Sequence, residues 1–170
     1  AGIVRGASEG AGLGNQFLAN IRESHAICQV LRAFDDPDVV HVEGRVDPAE
    51  DLETINTELI LADLQTIEKA LPRLVKEARI NKDRQSIVTA VEQAQEVLAE
   101  GTTIFAAKLD PEPLRELFLL TAKPFLYVVN SDEGQLSDAQ FKERIRELVA
   151  PADVVFLDAK TEAELIELPA

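Results

Sequence analysis

Methionine and tryptophan are missing from this sequence, and aromatic residues make up only 5% of it. A core must then be built from Leu, Ile, Val and Ala, a composition that suits helices packed on a parallel sheet or on one another. The single cysteine, Cys28, excludes an internal disulfide. Its place in Ala26-Ile27-Cys28-Gln29-Val30-Leu31 predicts a small buried hydrophobe rather than a reactive thiol. Cations are scarce: 17 Lys and Arg against 31 Asp and Glu leave a net charge of −14. That balance argues against nucleic-acid binding by the chain as a whole, because phosphate contacts need clustered Lys and Arg. No hydrophobic run is long enough to cross a membrane or to open a signal peptide, so the expected location is the cytoplasm. A chain that begins at Ala1 without a start methionine is expected to be a piece of a longer protein, or its ordered residues only.

What is present is a chain of 170 residues, 46% hydrophobic, enough for one domain or one domain with an insertion. Gly2, Gly6, Gly10, Gly12 and Gly14 crowd residues 1–15, which predicts a mobile or sharply turning loop. A helical pattern starts near Leu13. The apolar run from Ala26 to Phe34 predicts a buried strand, closed by Asp35-Asp36-Pro37.

Asp47-Pro48-Ala49-Glu50 has the residues of a helix start: a capping acid, a proline suited to the first helical position and an acid in the first turn. Apolar residues then fall at Ile60, Leu64, Ile67, Leu71, Leu74 and Ala78, and again at Ile87, Val91, Ala94 and Leu98. Alternating steps of four and three form a coiled-coil seam. With Asn81-Lys82-Asp83-Arg84 as the turn and Gly101 as the closure, residues 47–101 predict a helical hairpin. Pro72 lies inside its first helix and either kinks it or starts a second one. Lys69, Arg73, Lys76, Arg79, Lys82 and Arg84 cluster toward the tip, as a solvated surface or as a contact for RNA or an acidic protein.

Past the hairpin, Asp110-Pro111 predicts a helix running to Leu120. Phe125-Leu126-Tyr127-Val128-Val129 predicts a strand covered on both faces. Ser137-Asp138-Ala139-Gln140 predicts a capped helix to about Val149, and Asp153 to Leu157 a further buried strand. Strands separated by helices imply an α/β fold with a parallel sheet and right-handed crossovers.

In such sheets ligands bind beyond the carboxyl ends of the strands. Asn130-Ser131-Asp132-Glu133 stands there. An Asn followed three residues later by an acid is similar to the base-recognition loop of GTPase-like folds, where the acid is Asp and accepts from guanine. A longer carboxylate in that place suits the exocyclic amine of adenine. The same residues also make a good surface turn. Asp158-Ala159-Lys160 follows the last strand, where GTPase-like folds carry a Ser-Ala-Lys-like loop; Asp158 departs from the Ser.

Longer runs narrow the resemblance. Gly6 to Leu18 (GASEGAGLGNQFL), Phe34 to Pro48 (FDDPDVVHVEGRVDP) and Leu119 to Pro124 (LLTAKP) resemble the Obg-related P-loop ATPases of the YchF type. The resemblance implies a partial Ras-like sheet with an inserted coiled-coil hairpin: residues 1–46 as switch II with its helix and strand, 47–101 as the insertion, 102–170 as the base-recognition half. It implies ATP preferred over GTP, Mg²⁺ as cofactor in the parent protein and the ribosome as partner. By resemblance Asn130 and Glu133 read the adenine, helped by Ser131, and Ala159 and Lys160 flank it. Gly2 would sense the γ-phosphate, and Ile3 falls where GTPases place the water-orienting glutamine. An aliphatic side chain there cannot polarise water. One departure is decisive for activity: no Gly-x-x-x-x-Gly-Lys-Ser/Thr occurs in these residues, so the chain alone has no phosphate cradle or hydroxyl for Mg²⁺ and is expected to be inactive. The alternative reading is an interaction module that docks protein or RNA through the hairpin.

Overall fold

A computed structural model of the protein describes residues 13–34 and 46–166. Gly2, Ile3, most of the glycine-rich opening and most of the Phe34–Pro48 run lie outside the described residues. The elements are α1 (Leu13–Glu23), β1 (Ile27–Arg32), α2 (Pro48–Ile80), α3 (Gln85–Ala99), β2 (Phe125–Asn130), α4 (Glu133–Ser137), α5 (Ala139–Val149), β3 (Asp153–Leu157) and α6 (Ala159–Ile166). They fall into two compact units, one of residues 1–27 and 53–124, the other of residues 28–52 and 125–170.

The first unit is built on the hairpin of α2 and α3. Ile60, Ile67, Leu74 and Ala78 of α2 and Val88, Val91, Ala94 and Leu98 of α3 are buried in one cluster, with Leu64, Leu71 and Ile87 partly buried against it. Each buried Leu, Ile or Val contributes roughly 1.5–3 kcal/mol relative to leaving it exposed. That burial outweighs the cost of Pro72, about 3 kcal/mol in a helix interior, and α2 continues through it to Ile80. Asn81 caps the 3-10 turn at Lys82–Arg84 through its side chain. Gly101, at φ +80°, ends α3: its N–H donates to Leu98 and that of Thr102 to Val97, which satisfies two carbonyls at the helix end.

Residues 110–120 depart from the expected helix. A 3-10 helix spans Glu112–Leu117 and stops at Phe118, which has left-handed backbone at φ 50°. Pro113 within it has no N–H to donate, which favours a short irregular turn over an α-helix. The segment still delivers Leu114, Leu117 and Leu119 to the hairpin core, which also holds Ile104.

The second unit holds the sheet, in the order β1-β2-β3. β2 and β3 are parallel, with Leu126 opposite Asp153 and Asn130 opposite Leu157. The N–H of Ile27 donates to Pro124 and that of Ala33 to Asn130. Both strands advance together between these bonds, so β1 is parallel to β2 as well.

Side chains alternate across the sheet, and this corrects two expectations. Gln29 and Leu31 are buried, but Cys28 is exposed, because successive strand residues face opposite ways. Nor is β2 covered on both faces: Phe125, Tyr127 and Val129 are buried, whereas Leu126 is 38% exposed. Val30 and Val155 share the open face, 65% and 47% exposed. On β3, α5 packs through Ile145 and Val149, and Phe141 meets Phe156 edge-on at 6.2 Å.

Candidate functional site

Local chemistry forms two adjacent loops at the carboxyl ends of β2 and β3. Asn130 is the last residue of β2, and its side-chain Oδ1 accepts the backbone N–H of Ala159 at 3.0 Å. Ser131, fully buried, donates its N–H to the carbonyl of Leu157 at 2.8 Å. These two bonds hold Asn130, Ser131 and Ala159 together although 28 or more positions separate the first two from the third (159 − 131 = 28).

Asp132 caps α4. Its carboxylate accepts the N–H of Gln135 at 2.8 Å, and Gln135 Oε1 accepts the N–H of Asp132 at 3.2 Å, a reciprocal capping box. Gln135 also donates through Nε2 to the carbonyl of Ala33 at 2.6 Å, past the end of β1. Sequence reading missed Gln135; the spacing Asp-x-x-Gln just past a strand was the signal that could have found it. Glu133 is the first residue of α4, exposed, its carboxylate without a partner among the described residues. Lys160 is exposed in the first turn of α6.

Asp158 takes over the capping role a Ser would play. Its Oδ1 accepts the N–H groups of Lys160 (3.0 Å) and Thr161 (3.1 Å), and Oδ2 accepts the Thr161 hydroxyl (2.9 Å). The Thr161 bonds, backbone first and then hydroxyl, hold the Asp158 carboxyl below the ordinary Asp value. Since the folded value lies below the unfolded one, this cap stabilises the fold above the ordinary carboxylate range and is lost as pH falls through the depressed value. In an NMR titration the Thr161 amide is expected to stay protected below the pH at which exposed Asp side chains take up protons. Loss of protection in step with those side chains would contradict the assignment.

A second candidate region lies on the hairpin. Of its six clustered cations, two are engaged. Arg73 pairs with Glu77 at 2.6 Å, and Arg84 pairs with Glu77 at 2.9 Å and Glu116 at 2.7 Å. Lys69, Lys76, Arg79 and Lys82 are exposed and unpaired among the described residues. Lys76 and Arg79 border a shallow groove of about 440 Å³ that Leu71, Pro72 and Val75 also line. No three His, Cys, Asp or Glu side chains converge as metal ligands among the described residues, and no described helix is long and apolar enough to cross a membrane.

No protein-family model matches the chain. It is similar to the ribosome-binding ATPase YchF of Bacillus subtilis strain 168, 43% identical over 178 residues, which is 99% of this chain and 48% of that protein. The ribosome-binding ATPase YchF of Haemophilus ducreyi is 44% identical over 174 residues, again 99% of this chain and 48% of that protein. Among solved structures, that of the Schizosaccharomyces pombe YchF GTPase matches with a TM-score of 0.75 and 33% identity, over 94% of this chain and 47% of that one. The chain thus spans about half the length of the curated relatives it matches.

Proposed function

We propose, from the finding that this chain matches the YchF-type Obg-like ATPases over 99% of its length, that it forms the base-recognition half of a nucleotide-binding domain together with its helical insertion. One observation carries the reading: the 3.0 Å bond from the Ala159 N–H to Asn130 Oδ1, which welds the two loops at the sheet end into one surface. Asn130 and Glu133 read the base there, with Ser131 fixing the floor and Ala159 and Lys160 flanking the ring. Among the described residues the Glu133 carboxylate has no partner, and an ionised carboxylate only accepts hydrogen bonds. Adenine offers a donor in its exocyclic amine, and the added methylene of Glu over Asp extends the reach toward it. The relatives are named ATPases in bacteria and a GTPase in S. pombe, so base choice is the informative property.

The phosphates and Mg²⁺ would be held by residues elsewhere in the parent protein, since this sequence has no Gly-x-x-x-x-Gly-Lys-Ser/Thr. By itself the chain does not hydrolyse ATP; the parent does, with Gly2 at the γ-phosphate and Ile3 in the place of a water-orienting glutamine. Its partner is the ribosome and its location the cytoplasm, as the names of the bacterial relatives suggest.

Calorimetric titration of the full-length parent with ATP and GTP analogues tests the base assignment. The ATP analogue is expected to bind about tenfold or more tightly, the worth of one discriminating hydrogen bond. Equal affinity, or a preference for GTP, would remove the role given to Glu133.

A second reading, that the hairpin itself docks a partner, is favoured by its four exposed cations that are unpaired among the described residues, two of which, Lys76 and Arg79, line the groove. Reversing two of them, Lys76→Glu with Arg79→Glu, is expected to weaken ribosome binding by the parent about tenfold or more and to flatten its salt dependence. Unchanged affinity at low salt would confine the hairpin to a structural role.

A further inference from the structure

Three segments of the first unit converge on one guanidinium. Arg22, in the last turn of α1, donates through Nη1 to the carbonyl of Phe118 at 3.0 Å. Its Nη2 donates to the Thr66 hydroxyl at 3.0 Å and to the Ala62 carbonyl at 3.4 Å, both on α2. Nη1 also lies 3.7 Å from the carboxylate of Asp63 on α2. Asp63 is fully buried and accepts the N–H groups of Leu120 (2.8 Å) and Thr121 (2.7 Å) and the Thr121 hydroxyl (2.8 Å). Lys123 completes the cluster by donating to the carbonyls of Arg22, in the last turn of α1, and of Ser24, just beyond its end. The left-handed residue Phe118 is thus pinned by its carbonyl, although the residue is 65% exposed.

Such an arrangement ties α1 to the root of the hairpin and to residues 118–123. A guanidinium suits the task because its planar fork serves several acceptors at fixed angles, which an ammonium on a flexible stem cannot. In sequence, α1 directly follows the glycine-rich opening, and α2 ends at the hairpin tip some 58 residues beyond Arg22 (80 − 22 = 58).

We infer that Arg22 is a coupling residue: it makes α1 and the hairpin move as one body, so that a displacement imposed on α1 by bound nucleotide reaches the hairpin tip. The inference rests on the nucleotide-binding reading above. Arg22 needs no contact with nucleotide; it is a positioning residue that acts through Ala62, Asp63, Thr66 and Phe118.

Hydrogen exchange of the full-length parent, with and without an ATP analogue, tests this alongside the analogue's Kd. In the unmodified protein the analogue is expected to change exchange in the α2 and α3 peptides about tenfold. Arg22→Met should reduce that change to under about twofold while Kd moves less than about threefold, because a local brace is lost and the base site is not. Arg22→Lys should resemble Arg22→Met, and Thr66→Val, which removes one acceptor, should lower the response in part. A hairpin response in Arg22→Met equal to that of the unmodified protein overturns the coupling role and leaves the nucleotide reading intact. So does a hairpin that never responds although the analogue binds. If the unmodified parent binds no ATP analogue at all, it is the nucleotide reading that fails. Should Arg22→Met lose its fold by circular dichroism, Thr66→Val decides: an undiminished response there overturns the inference.

Discussion

Replacing Asp63 by Ala is expected to destabilise the chain by about 3–5 kcal/mol, the usual cost of removing one partner from a buried charged network. The loss has a specific origin. Two backbone N–H groups and one hydroxyl, on Leu120 and Thr121, would remain buried without an acceptor, each costing about 1–3 kcal/mol if no water replaces it. Arg22 would also lose its anion. Burial pushes the Asp63 carboxyl up, against the pull of the Thr121 and Leu120 bonds and the Arg22 charge. Asp63→Asn keeps the volume and one acceptor but turns an NH₂ toward a donor, so it should fall between. Urea denaturation followed by circular dichroism reads the effect directly. A loss below about 1 kcal/mol for Asp63→Ala would mean that the anchor is incidental to a fold already held by buried residues such as Ile67, Leu74 and Leu120.

The second large effect is expected at Asn130. Its amide braces the loop of Ala159, and on the proposed reading it also meets the base. Asn130→Ala in the full-length parent should lose both, about 3 kcal/mol together, or roughly a hundredfold in nucleotide affinity. The sheet should survive, because β2 keeps its ladder and its buried residues Phe125, Tyr127 and Val129. Competition against a fluorescent ATP analogue measures the loss. A change under about threefold would show that the brace matters for the loop and not for a ligand.

Much of this was legible from residue order, for physical reasons that differ by element. The hairpin is legible because a seam in steps of three and four must be buried, and the core of the first unit contains it. The Asp47 cap was readable because its function is local: its carboxylate accepts the N–H groups of Ala49 and Glu50. The pairing of Asn130 with Ala159 was only implicit, since it depends on two strands lying side by side. What stayed hidden was of three kinds. The exposure of Cys28 is hidden because an apolar run does not say which face of a strand is covered. The 3-10 helix in place of the α-helix expected from Asp110-Pro111 to Leu120 is hidden because the helical composition competes with Pro113 and with the left-handed Phe118. Asp63 and Gln135 were passed over because an acid in a helix and an amide in a turn usually face water, and only tertiary structure brings them Thr121 and Ala33.

The coordinates of the full-length parent bound to a non-hydrolysable ATP analogue would test the proposal at its root. The adenine amine is expected within hydrogen-bonding distance of the Glu133 carboxylate, with the ring against Asn130, Ala159 and Lys160. A nucleotide whose ring sits away from Asn130 and Glu133 would contradict the account.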